Sequence, residues 1–185
     1  MNIEDLERSQ KLEITESVIV MLNGILSSVD LLEEFNSENN SHFDKSDKYV
    51  RYDLGKRQES IICKHIKGFS TVKSKIGDGY TTLIDKIYGD IFIDRFGFVD
   101  LKVGDDSLIG SISVDSLSCF RGWYLCLNKY CNKLYFIYSD YFRKYIKENN
   151  IRSTHIDYFG ETDIMNFDES FWNNKQAIKL ELKFS

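Results

Sequence analysis

A chain of 185 residues that is 42% hydrophobic and 14% aromatic has enough apolar material to bury a core, which excludes the disordered and fibrous classes. Its net charge of −5 argues against a protein that coats nucleic acid through bulk electrostatics, and 4 Cys with no C-x-x-C pair argue against a structural zinc. No stretch reaches the ~18 uncharged apolar residues needed to span a bilayer. The chain opens with Glu4, Asp5 and Glu7 where a secretion signal would be basic, so a cytoplasmic protein away from the membrane is expected.

Taken in order, Ile14, Val18, Met21, Leu22, Ile25, Val29 and Leu32 recur in steps of three and four, which predicts one or two amphipathic helices over about 4–35. Residues 36–48 are polar and without an apolar repeat, so 1–48 reads as a helical arm with a linker, followed by an α/β domain over 49–185. The apolar stripe of the arm either packs on its own domain or offers a homodimer surface. A shorter helix is expected from Tyr49 to Lys67, with Ile61 and Ile62 on its packed side and Glu59 near its middle. Gly77-Asp78-Gly79 is a turn that lacks the Lys-Ser/Thr of a phosphate loop.

Residues 90–103 read as strand, tight turn and strand: Asp90 to Ile93, then Asp94 to Gly97, then Phe98 to Val103. Alternation puts Asp100 and Lys102 on one face of the second strand and Val99, Leu101 and Val103 on the other. Asp94 competes with Asp90 for a functional role, but its place in the turn points it away. Beyond the Gly104-Asp105-Asp106 turn, a strand is expected at Ile109–Ser113, with Ser113 placed to cap the next helix. Val114, Leu117, Phe120, Tyr124 and Leu127 keep helical spacing, so that helix is expected to reach Leu127. A strand at Leu134–Tyr138, a helix at about Asp140–Glu148 and a half-exposed strand at Ala177–Phe184 complete the reading. The aromatics Trp123, Tyr124, Tyr135 and Tyr138 read as core.

The acidic excess gathers in residues 1–48. A basic stretch follows, in which Lys56, Arg57, Lys64, Lys67, Lys73 and Lys75 are the candidate DNA-contacting residues. Phosphodiester hydrolysis is helped by a divalent metal, by carboxylates that hold it and by a cation near the attacking water. Mg²⁺ or Mn²⁺ takes oxygen ligands and keeps several waters, so two acids and a backbone carbonyl suffice. The hairpin supplies Asp90 and Asp100 as metal-binding carboxylates, the Leu101 carbonyl as a further ligand, and Lys102 to orient the water or help deprotonate it.

The pattern Gly89-Asp90 … Asp100-Leu101-Lys102 resembles the active-site motif of the PD-(D/E)-x-K nucleases, with Gly89 where that family has proline. The resemblance covers about residues 55–140. It implies a restriction-endonuclease-like core, a mixed β-sheet flanked by helices with the motif on a bent hairpin. It also implies a metal-dependent DNA endonuclease, restriction-like or junction-resolving, and one that often dimerises. Glu59 matches the additional catalytic glutamate that the family often takes from a preceding helix. The Val114–Leu127 helix matches its crossover helix, and Leu134–Tyr138 its next strand. The competing expectation is a non-catalytic, acidic interaction or accessory module on a similar α/β fold.

Overall fold

The computed structural model describes residues 48–94, 96–104, 108–128, 133–172 and 174–181, together with Glu16, Val20 and Ser37. The predicted arm and linker lie outside the described residues, apart from those three positions and Lys48. Among the described residues, no helix is long and apolar enough to cross a membrane.

The chain forms an α/β fold around a mixed sheet of six strands. Helix α1 (Lys48–His65) leads through β1 (Phe69–Thr71) into α2 (Val72–Ile76), a 3-10 turn at Gly77–Gly79 and α3 (Thr82–Tyr88). The hairpin β2 (Ile91–Ile93) and β3 (Gly97–Val103) follows, then β4 (Ile112–Ser113), α4 (Val114–Cys119), β5 (Trp123–Leu127) and β6 (Lys133–Tyr138). The remaining elements are α5 (Ser139–Glu148), β7 (Tyr158–Phe159), α6 (Glu161–Met165), α7 (Glu169–Trp172) and β8 (Ala177–Glu181). The sheet order is β1-β2-β3-β5-β6-β8, and β4 with β7 makes a separate small ribbon. Every pairing in the large sheet is antiparallel except that of β3 with β5, which is parallel and needs the crossover through α4.

Strand alternation divides the core between the two faces of the sheet. On one face Ile61 and Ile62 of α1 pack on Ile91, Ile93, Val99, Leu101, Leu125, Leu127 and Phe136. On the other, Tyr124, Cys126, Tyr135 and Ile137 meet Leu117 of α4, Phe142 and Tyr145 of α5, and Phe171 and Trp172 of α7. Asp100 and Lys102 belong to this second face, as the alternation of β3 predicts.

Several boundaries differ from the sequence reading. The expected helix at Val114–Leu127 stops at Cys119, where Phe120 turns extended (φ −64°, ψ 139°). Gly122 then packs so closely that a Cβ there would lie 2.4 Å from the Phe98 carbonyl oxygen. Trp123–Leu127 is a strand buried between both cores, so its apolar residues point alternately to two dry faces and imitate helical spacing. The first strand after the crossover helix is therefore β5, parallel to β3, and Leu134–Tyr138 lies within its antiparallel neighbour β6. The expected strand at Ile109–Ser113 shrinks to two residues and joins β7 instead of the main sheet. Ser113 caps α4 as expected, accepting a hydrogen bond from Ser116 N at 2.9 Å. The turn aspartate Asp94 is exposed.

Candidate active site

The site begins with the hairpin register. Ile91 lies opposite Val99, and the Asp90 amide donates to the Val99 carbonyl at 3.1 Å, so Asp90 sits across from Asp100 at the mouth of the strand pair. β2 ends there while β3 continues, and among the described residues no strand pairs with β3 on that side beyond Asp90. Carbonyls two residues apart on a strand share an edge, so the Leu101 carbonyl is directed to the same edge as that of Val99.

Gly89 makes this placement possible. It terminates α3 at φ 74° and ψ −155°, with its amide donating to the Asp85 carbonyl at 2.8 Å. This conformation is accessible essentially to glycine alone, and proline, locked near −65°, is excluded from it.

Around the two aspartates the described residues form an open cleft of about 810 Å³, lined in part by Lys56, Glu59, Asp85, Asp90, Asp100, Leu101, Lys102 and Ser116. Lys102 Nζ lies 2.8 Å from Asp100 Oδ1. The second Asp100 oxygen accepts from Ser116 Oγ at 3.1 Å, and Ser116 Oγ is itself 3.1 Å from the hydroxyl of the fully buried Tyr124. α1 brings Lys56 and Glu59 to the same point. Lys56 Nζ lies 2.8 Å from Asp90 Oδ1, 3.3 Å from Glu59 Oε2 and 3.3 Å from Asp85 Oδ1.

Four carboxyl groups thus share two ammonium groups in a partly dry site, and their proton affinities reflect it. Burial, and after it the Asp90 charge, push the Glu59 carboxyl up to about 8 against the opposing pull of Lys56. Burial and then the facing Asp100 raise Asp90 as well. Burial alone would lower both lysines, but Asp90 and Glu59 hold Lys56 above its ordinary value, and Asp100 and Asp90 do the same for Lys102. Both ammonium groups therefore keep their charge at neutral pH. Between about 4.5 and 8 the folded chain retains on Glu59 a proton that the unfolded chain releases, so stability is lost as pH rises through that window. The expected result is a metal-free melting temperature several degrees higher at pH 5.5 than at pH 8, with the difference reduced in Glu59→Gln. Calorimetry in chelator checks it, and an equal pH dependence in the two proteins would contradict it.

Asp90, Asp100, Leu101, Lys102 and Glu59, all singled out in the sequence, meet in this cleft. Of the six basic residues expected to contact DNA, only Lys56 lines it, drawn in among the carboxylates. Arg57, Lys64, Lys67, Lys73 and Lys75 are exposed elsewhere on α1, α2 and the segment after α1, with Lys75 Nζ 4.9 Å from the centre of the Phe92 ring. Sequence reasoning missed Asp85 and Ser116. Asp85 left the only available trace, an acid on the short helix leading directly into Gly89-Asp90.

The donors gathered here are all oxygens, which suits a hard cation such as Mg²⁺ or Mn²⁺. Among the described residues, no three His, Cys, Asp or Glu side chains gather so as to enclose a metal on their own. An ion that keeps part of its water shell needs fewer protein ligands, and Asp90, Asp100 and the Leu101 carbonyl are the oxygens here that could serve one. Comparisons of the chain with family models, with curated proteins and with solved structures gave no match.

Proposed function

We propose that this chain is a metal-dependent endodeoxyribonuclease of the PD-(D/E)-x-K kind, with Asp90, Asp100 and Lys102 as its central residues. The observation that carries the reading is the convergence of Asp90 and Asp100 across one strand pair, with the Lys102 ammonium 2.8 Å from Asp100, at an open cleft. A hairpin in a mixed sheet flanked by helices is the setting that family uses, and this fold is compatible with its core. Asp90, Asp100 and the Leu101 carbonyl would hold Mg²⁺ or Mn²⁺, and Glu59, which shares the Lys56 ammonium with Asp90, would join them through water. When bound, the metal supplies Lewis-acid polarisation of a phosphate oxygen and acidification of a coordinated water.

The chain's own residues do the rest. Lys102, an ammonium in the metal-free protein, would orient the attacking water and offset negative charge growing on the phosphate. Ser116, backed by Tyr124, fixes the rotamer of Asp100. The exposed lysines of α1 and α2 would meet the DNA backbone outside the cleft. Cutting both strands of a duplex is served by a homodimer, and a cytoplasmic setting gives access to DNA.

The test is incubation of the full chain with supercoiled and cruciform plasmid in Mg²⁺, in Mn²⁺ and in chelator. Nicking or linearisation that needs the metal is expected. No cleavage of any DNA or RNA form, together with no metal binding by calorimetry, would replace the nuclease with an interaction module.

A further inference from the structure

Lys56 stands out because one ammonium contacts three carboxylates from three separate elements: Glu59 of α1, Asp85 of α3 and Asp90 before β2. The usual reading of a lysine near a nuclease site is a contact to substrate phosphate, yet this one is turned inward. The shortest of these three contacts, at 2.8 Å, is to Asp90, one of the two carboxylates assigned above to the metal. A divalent ion and an ammonium that need the same carboxylate oxygens repel each other, so both cannot occupy that position. The Lys56 side chain retains 30% of its exposure and lines the open cleft, so its flexible stem has space to swing aside. Lys102, by contrast, makes its 2.8 Å contact with Asp100, its neighbour on the same strand face.

We propose that Lys56 is a built-in placeholder cation, which holds Glu59, Asp85 and Asp90 together in the metal-free protein and must be displaced into the cleft when the divalent ion binds. The proposal rests on the metal-dependent reading and adds a residue that sets metal affinity. It follows that the apparent affinity contains the cost of expelling the ammonium.

The experiment is titration calorimetry of the full chain with Mn²⁺ alone, without DNA. Lys56→Met should bind at least about tenfold more tightly than the wild type, whereas Lys56→Arg, which keeps a cation, should remain near wild type. A lysine that merely supported the fold would not improve metal affinity on removal. Lys56→Met leaves the carboxylates without their counter-ion, so a charge-compensated pair guards against misfolding: Lys56→Met/Asp85→Asn should bind Mn²⁺ more tightly than Asp85→Asn alone. Equal or weaker binding on removal of Lys56 overturns the placeholder and leaves the nuclease reading standing. No Mn²⁺ binding by any of these proteins overturns both.

Discussion

Asp100→Asn is expected to abolish metal-dependent cleavage, by about 10²–10³-fold or more, while leaving the metal-free protein at least as stable as the wild type. The two effects separate because Asp100 faces Asp90, and burial together with that facing charge already raises the Asp90 carboxyl. Replacing one carboxylate by an amide of the same shape relieves the repulsion. It also keeps an acceptor for Ser116, whose hydroxyl stands 3.1 Å away. Lys102 is not stranded, because its ammonium still feels Asp90. Lys102→Met should lose cleavage to a similar degree but behave oppositely in the melt. It removes the ammonium from a carboxylate whose residue is only 5% exposed, at a cost of about 1–3 kcal/mol. Cleavage assays beside calorimetry in chelator check the pair. A Lys102→Met protein that cleaves normally, or an Asp100→Asn protein that melts well below wild type, would contradict this account of the site.

Gly89→Ala should be among the most damaging small substitutions in the chain. The residue lies at φ 74°, and an added Cβ would come within 2.8 Å of the Val99 carbonyl oxygen, 2.9 Å of Phe120 Cε2 and 3.0 Å of the Asp100 amide nitrogen. Two of those atoms are backbone of the strand that carries the site, so they cannot yield as a flexible side chain does. Backbone strain and overpacking together predict a loss of about 2–4 kcal/mol, or roughly 5–15 °C in melting temperature. The relaxation would separate Asp90 from Asp100, so cleavage by the folded fraction should fall too. Thermal melts and activity at a temperature below the new transition check both. An alanine variant with unchanged melting temperature would show that the chain reaches Asp90 by another route.

The parts of this architecture that sequence reasoning found are those whose cause is local. Alternation in Phe98–Val103 placed Asp100 and Lys102 on one face, and the short connection through Asp94 and Gly97 brought Asp90 back beside them. The β5 segment was illegible for the opposite reason. Trp123–Leu127 lies between two cores, so the polar side that distinguishes strand from helix is missing. Gly122 was the remaining signal, and its meaning depends on the Phe98 carbonyl, 24 residues away in the chain. The inward turn of Lys56 was equally hidden. In sequence it belongs to a basic run, and only the approach of Asp85 and Asp90, 29 and 34 positions later, gives it carboxylate partners.

The borders of the sheet limit how two copies can meet. β1 offers three residues before Thr71 turns the chain into α2, its hydroxyl accepting from the Ser74 amide at 3.2 Å. At the opposite border, β8 carries the exposed charges Lys179 and Glu181. Brief or charged margins discourage strand-by-strand joining. If the proposed nuclease pairs to cut a duplex, the borders of the described sheet favour association through helices or loops, with each hairpin addressing one strand of the DNA.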